Sequence, residues 1–288
     1  MLAIPIPTIR SWERRYGFPT PARTGGRHRR YSTHEVELLR ALRDEITRGH
    51  PAGEAVEVVR RARRRGDAGG DVHLDAFLDA AMGLDPEQLR RALDGAAEAL
   101  GVDRAISDVA LPAMREMGTR WRTGTCDVAH EHVATDAVRA WLARLTATAS
   151  PRSRRVVIVL ACGPKDLHTV GLEGFGALLA RRGWPLRTLG ALTPPESLVT
   201  AIRSAGAAAA IIASQRSVTR RAATASIAAA RGVPGVRVFF AGDGFASPSA
   251  RRGVPGIYLG DDVLAAVDIV ERTLREVEPA GERRAAGA

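Results

Sequence analysis

Cysteine is nearly absent from this 288-residue chain, which holds only Cys126 and Cys162. Two thiols are too few for a disulfide framework and show no paired zinc-ligand spacing, so a disulfide-stapled secreted scaffold is excluded and a reducing cytoplasm is expected. Lysine is scarcer still: Lys165 is the only one, so the 42 Lys+Arg positions are almost all arginine. No run approaches the roughly 18 uncharged apolar residues of a membrane-spanning helix, and the alanine-rich stretch at 205–214 is shorter and strand-like. The opening MLAIPIP has no basic segment ahead of its apolar residues, so a secretory leader is not expected and the protein reads as soluble. Nor does any Gly-x-Gly-x-x-Gly follow the first strand-like run, which argues against a dinucleotide site. Apolar residues are plentiful: at 45% hydrophobic, the chain can bury two or three domain cores, and global disorder is excluded.

The net charge of +10 is unevenly placed. Residues 1–66 carry 15 Arg against 7 Asp+Glu, a balance of +8, so most of the excess sits in the first quarter of the chain. Clustering of that kind is the electrostatic footprint of a nucleic-acid-binding segment, although a solvated basic face shaped by codon usage would look the same.

Composition shifts divide the chain. The charged, glycine-containing stretch Arg63-Arg64-Arg65-Gly66-Asp67-Ala68-Gly69-Gly70 reads as a linker closing a first domain at 1–66. Over 73–148, apolar residues recur three and four apart (Leu74, Phe77, Leu78 and Ala81; Leu89 and Leu93; Ile106 and Val109; Val138, Trp141 and Leu142). Four such segments with short breaks predict a four-helix bundle. After a second linker at 149–153, short apolar runs (RVVIVLA, PLRTLG, AAAAIIA, VRVFFAG and a weak GIYLG) alternate with helix-length segments. That alternation predicts a doubly wound parallel sheet over 154–278, followed by a frayed tail at 279–288.

In the first domain, PTIRSWERRYG places Arg10, Arg14 and Arg15 on a short helix beside Trp12 and Tyr16. A loop follows, then Arg27-His28-Arg29-Arg30-Tyr31, then Ser32-x-x-Glu35, a capping box that should open a helix with Val36, Leu38, Leu39, Leu42 and Ile46 on its apolar side. A basic helix plus a basic loop supplies guanidinium groups to phosphates, which position a protein on DNA without reading sequence. Over about 43 residues, TIRSWERRYGFPTPARTGGRHRRYSTHEVELLRALRDEITRG resembles the MerR family of winged-helix regulators. The resemblance implies that Arg10, Arg14, Arg15, Arg27, Arg29, Arg30 and Tyr31 face double-stranded DNA, with Trp12 in the winged-helix core. The family pattern has a further helix and turn ahead of this point, where this chain has only MLAIPI before Pro7, so either the start is placed too late, which is the expectation, or part of the DNA-binding fold has been lost.

The first strand of the sheet runs into Cys162-Gly163-Pro164-Lys165-Asp166-Leu167-His168-Thr169-Val170-Gly171. Ligands of doubly wound sheets bind beyond the carboxyl ends of the strands. Asp166-x-His168 puts an imidazole at that edge with a carboxylate two residues earlier; the carboxylate can hold one ring nitrogen protonated and leave the other to a metal. Gly171 opens the next helix and lets a bulky group approach the backbone. A small hydroxyl residue, Ser214, follows the third strand-like run, and Gly242 and Gly244 follow the fourth. These marks, in this order, resemble the cobalamin-binding domain of methionine synthase and its relatives, except that Asp243 separates glycines that usually adjoin. The resemblance implies that His168 is the lower cobalt ligand with Asp166 tuning it, and that Ser214, Gly242 and Gly244 receive the displaced nucleotide tail.

In the bundle, Trp121 is followed after nine residues by Glu131-His132, a spacing similar to that of light-dependent, adenosylcobalamin-binding MerR-type repressors. In that subgroup the tryptophan and glutamate shelter the adenosyl group, and the histidine is the possible upper cobalt ligand after photolysis. Read as plain structure, Trp121 is bundle core and His132 a solvated helix residue. His130 lies about 200° around the helix from His132, so the two should not chelate one ion. Together the modules predict a multi-domain, non-enzymatic transcription factor, most simply a repressor and photoreceptor, whose homo-oligomeric state and operator binding follow adenosylcobalamin. The competing reading is a corrinoid-carrying subunit of a methyltransferase or mutase system, which would have no use for a basic wing.

Overall fold

The computed structural model describes residues 4–19, 22–23, 29–31, 33–65, 70–149 and 156–275. It divides into two compact units, Met1–Ala68 and Gly69–Ala288.

In the first unit, helix α1 (Ile6–Tyr16) starts after extended Pro5 with Pro7 in its first turn, where a missing N–H costs nothing. It ends at Gly17, whose left-handed backbone (φ 60°) lets its N–H reach the Glu13 carbonyl. A two-stranded antiparallel ribbon follows, β1 (Ala22–Arg23) with β2 (Arg29–Arg30), and then helices α2 (Thr33–Thr47) and α3 (Ala52–Arg65). Ile9 and Trp12 of α1 are buried with Leu39 and Leu42 of α2 and Val56 and Val59 of α3. The expected capping box at the start of α2 lies outside the described residues, since Ser32 and the Glu35 side chain are not among them.

The second unit opens with α4 (Asp71–Met82) and α5 (Pro86–Leu100), the latter capped by Asp85, which accepts from the Glu87 and Gln88 amides. Next come a short α6 (Val102–Arg104), a π-helical turn (Ala105–Ala110) and α7 (Leu111–Arg122). The wide turn has a local cause. Pro112 offers no N–H to the carbonyl four residues back and its ring crowds that carbonyl, so the helix opens by one residue just before it. Helix α8 (Val128–Thr148) begins at Asp127, whose side chain accepts from the helix's first turn while the His130 ring accepts the Asp127 amide.

The sheet follows: β3 (Ile158–Cys162), α9 (Val170–Arg181), β4 (Leu186–Gly190), α10 (Pro195–Ser204), β5 (Ala209–Ala213), α11 (Arg220–Arg231) and β6 (Arg237–Ala241). After a 3-10 turn at Asp243–Phe245, the chain adds α12 (Pro248–Arg251), β7 (Ile257–Tyr258) and α13 (Val263–Arg275). All four pairings are parallel in the order β4-β3-β5-β6-β7. Strands β3 and β5 are buried at every position, as central strands covered on both faces must be. Alternate residues of β3 feed two cores. Val159 and Ala161 join Leu198, Ile202 and Ile227 of α10 and α11. Ile158 and Leu160 join a cluster that also holds Phe77, Leu93, Ile106 and Trp141 of the bundle. Bundle and sheet therefore share one hydrophobic core, and the strand order reverses between β3 and β5, which opens a crevice at the carboxyl edge there.

Candidate cofactor site

At that crevice the loop after β3 delivers Asp166 and His168. The Asp166 side chain is fully buried and its four acceptor directions are filled. Oδ1 accepts the His168 amide at 3.1 Å and His168 Nδ1–H at 2.9 Å. Oδ2 accepts the Gln215 amide at 2.7 Å and the Thr219 hydroxyl at 3.0 Å. Burial pushes the carboxyl pKa upward, but these hydrogen bonds outweigh it and the net value lies below the ordinary carboxylate range. Asp166 is therefore an anion, an acceptor only, and the proton between it and His168 sits on Nδ1. Nε2 then carries the lone pair on a ring whose side chain is 55% exposed.

The Thr219 hydroxyl lies 3.0 Å from Asp166 Oδ2, 2.9 Å from the Arg216 carbonyl and 2.8 Å from the Ser214 hydroxyl, so the two hydroxyls and the carboxylate form one network. Ser214 thus acts on His168 at third hand, through Thr219 and Asp166. Its backbone also holds the glycine loop. Gly244 donates its N–H to the Ser214 carbonyl at 2.9 Å, and a Cβ on Gly242 (φ +103°) would stand 2.3 Å from that same oxygen. Both glycines are needed for two backbones to approach this closely, with Asp243 between them turned so that its amide meets the Gln215 Oε1 at 3.2 Å. Gly171, at the start of α9, has the Gln215 side-chain amide beside it: a Cβ there would lie 2.9 Å from Nε2. Apolar Leu167, Leu192 and Val218 are exposed on the loops after β3, β4 and β5.

A single imidazole cannot hold a free divalent ion, which needs three or four protein donors. Among the described residues no group of three His, Cys, Asp or Glu is placed to do so. Cys162, near the pair, is no second ligand: burial first, then Asp166 and Glu173, push its thiol up to about 12. The donor set instead suits a metal that arrives already chelated in a ring and lacks one axial ligand. Exposed apolar loops for the ring fit the same kind of group, while Gly242 and Gly244 stand directly against the Ser214 backbone.

In the bundle, Trp121 ends α7 with 53% of its surface exposed, so it is not bundle core. Glu131, in the first turn of α8, accepts from the Thr135 hydroxyl at 2.8 Å and lies 3.7 Å from Nε2 of His132, whose side chain is 72% exposed. Arg139, two helical turns beyond His132, donates to Glu173 of α9 at 3.1 and 3.2 Å. His130 is used by the α8 cap.

Of the arginines expected to face DNA, Arg10, Arg14 and Arg15 are exposed on α1, opposite buried Ile9 and Trp12. Arg29 and Arg30 form β2, and Arg27 lies outside the described residues. Tyr31 is half-buried and packs against the head's core. Sequence reasoning missed Gln215 and Thr219. The one available signal was the polar run SQRSVTRR directly after a fully buried strand, at the edge where ligands bind.

Residues 73–146 match the family described as B12 binding domain, and residues 1–62 match the MerR HTH family regulatory protein. The HTH-type transcriptional repressor CarA of Myxococcus xanthus is 35% identical over 200 residues, covering 69% of this chain and 68% of that protein. The HTH-type transcriptional repressor CarH of the same organism is 31% identical over 215 residues, covering 70% and 72%. Among solved structures, the monomethylamine corrinoid protein of Methanosarcina barkeri aligns with a TM-score of 0.59 at 12% identity, covering 70% of this chain and 99% of that one, a likeness of fold. Among the described residues no helix is long and apolar enough to cross a membrane.

Proposed function

The chain belongs to the family of the HTH-type transcriptional repressors CarA and CarH, and from that premise we propose that it is a DNA-binding repressor governed by a bound cobalamin. We assign the adenosyl form as the cofactor, light or cofactor supply as the signal, and a cytoplasmic homo-oligomer as the operator-binding species. The observation that carries the reading is the Asp166–His168 pair at the strand-order reversal, with Nδ1 committed to a buried anion and Nε2 presented outward.

Adenosylcobalamin supplies a cobalt–carbon bond that visible light cleaves. His168 Nε2 would hold the cobalt, and Asp166, held by Thr219 and Gln215, keeps the ring in the donor tautomer. Ser214, Gly242 and Gly244 line the crevice for the nucleotide tail, and Gly171 keeps the start of α9 clear of side-chain bulk. Exposed Trp121 would offer a flat apolar face to the adenosyl group with Glu131 as its polar partner, and exposed His132 would be a further imidazole able to hold the metal. A cofactor that binds one assembly state better than another shifts the balance between them. Assembly matters at the head, where two arginine-bearing α1 helices on one operator gain affinity through effective concentration. A corrinoid-carrying subunit would share the sheet and the bundle but leave the arginine-rich first 66 residues without a task.

The test is to load the purified chain with adenosylcobalamin in the dark and follow its absorption, its size by chromatography and its retention of promoter DNA, before and after green light. A bound corrinoid whose spectrum, assembly and DNA retention change together under light supports the reading. Binding with no change of assembly moves the carrier reading ahead, and no bound corrinoid overturns the site.

A further inference from the structure

Gln215 follows β5, the strand flanked by β3 and β6, and its three contacts tie together the loops on either side. Its backbone amide donates to Asp166 Oδ2 at 2.7 Å. Its side-chain Oε1 accepts the Asp243 amide of the glycine loop at 3.2 Å. Its Nε2 fills the space beside Gly171, 2.9 Å from where a Cβ would stand. The side chain therefore spans from the start of α9 to the glycine loop, the ground that a nucleotide tail would have to enter.

We propose that Gln215 is a latch that sets which corrinoids load and how fast: its side chain closes the tail crevice until a nucleotide arm displaces it from the Asp243 amide. The inference rests on the reading of Ser214, Gly242 and Gly244 as the tail's receptors. It differs from a merely structural role in one respect. The side chain is only half-buried, and it spends its oxygen on a single backbone donor that lies at an exposed turn. Releasing that bond exposes an amide to water or to an incoming acceptor, at the modest cost of one neutral hydrogen bond. The backbone bond to Asp166 is independent of the side chain and survives its removal, so the His168 ligand geometry persists when the latch is cut.

The experiment compares association of the full-length protein, in the dark, with adenosylcobalamin and with cobinamide, which keeps the corrin ring but lacks the nucleotide tail. Stopped-flow absorbance gives both rates. Gln215→Ala should accelerate cobalamin association about fivefold, the worth of one neutral hydrogen bond, and leave cobinamide association unchanged. Gln215→Met, equal in length but without an acceptor for the Asp243 amide, should match Gln215→Ala. In the cofactor-free protein, hydrogen exchange at the Asp243 amide should quicken in both variants while exchange across β3 and β5 stays as it was. Unchanged or slower cobalamin loading, equal acceleration of cobinamide, or a Met variant that behaves like the parent would each overturn the latch while the site reading stands. If neither corrinoid binds the parent protein, the site reading falls and the latch with it.

Discussion

Asp166→Asn isolates the charge and the acceptor count of the buried carboxylate while keeping its shape, and the structure dictates what each orientation of the new amide would cost. Asparagine has one oxygen where aspartate has two, and the site presents four donors, two to each oxygen. With the oxygen toward His168, the new NH2 faces the Gln215 amide and the Thr219 hydroxyl; the hydroxyl can rotate to accept, but the backbone N–H cannot. With the oxygen toward Gln215, the NH2 faces the His168 amide and Nδ1. The ring can then accept only by moving its proton to Nε2, which removes the lone pair that the proposed ligation of cobalt needs. Either way one buried backbone donor is left unpaired, a loss of about 1–3 kcal/mol. Cofactor affinity should fall about 10–100-fold, as for other partners of metal-bound histidines. Urea unfolding of the cofactor-free protein and absorbance titration with adenosylcobalamin read the two effects. The pH sign also follows: the Asp166 pKa is lowered by folding, so its contribution is present above the unfolded value of about 3.9 and is lost as pH falls through the folded value. The stability gap between parent and variant should therefore be full at neutral pH and shrink below about pH 4. An Asn variant that unfolds with the parent and binds cobalamin with the same affinity and spectrum would refute the assigned role of the carboxylate.

Other expectations are equally specific. Gly242→Ala puts a Cβ 2.3 Å from the Ser214 carbonyl at φ +103°, so it should destabilise the second unit by roughly 2–4 kcal/mol in a denaturant titration; a shift below about 1 kcal/mol would mean the loop can move aside. Trp121→Ala removes a ring that is 53% exposed, so unfolding should change by no more than about 1 kcal/mol while the dark assembly measured by chromatography is lost. A large stability loss would return Trp121 to the core. For the head, Arg14→Ala should weaken operator binding evenly across sequences and reduce the slope of log affinity against log salt by about 1, measured by anisotropy at several salt concentrations; an unchanged slope would take Arg14 off the phosphates.

Much of this architecture is legible because burial writes itself into period. AAAAIIA and RVVIVLA are uninterrupted apolar runs because β5 and β3 are covered on both faces, whereas Ile9 and Trp12 are isolated because α1 buries one stripe. The π-helical turn before Pro112 escapes such reading, since Ile106 and Val109 keep a helical spacing whether the turn is α or π. The polar partners escape for another reason. Ser214 is recognisable from its place after a strand, yet it reaches Asp166 only through Thr219, and which hydroxyl touches the carboxylate is decided by the turn between them. Gln215 carries only the signal of its place in the polar run after β5, because its role depends on loops from two other strands. Tyr31, which the resemblance points at DNA, is half-buried and also packs against the core of the head.

The two halves of the cofactor reading come from different parts of the chain, and one face of α8 links them. His132 and Arg139 are seven residues apart, close to two turns, so they share a stripe about 10 Å long. At one end of that stripe Arg139 is bound to Glu173, in the first turn of α9, five residues beyond His168. The stripe that carries His132 is therefore the one turned toward the helix that begins at the lower-ligand loop. The Arg139 side chain is 55% exposed, so its pair with Glu173 contributes no more than about 1 kcal/mol to holding α8 against α9. Bundle and sheet also share a packed core through Trp141, Ile106 and Leu160, and close packing of this kind couples them more firmly than the ion pair does. If the proposed ligation by His132 occurs, a rearrangement of the bundle as a body is the response that such packing favours.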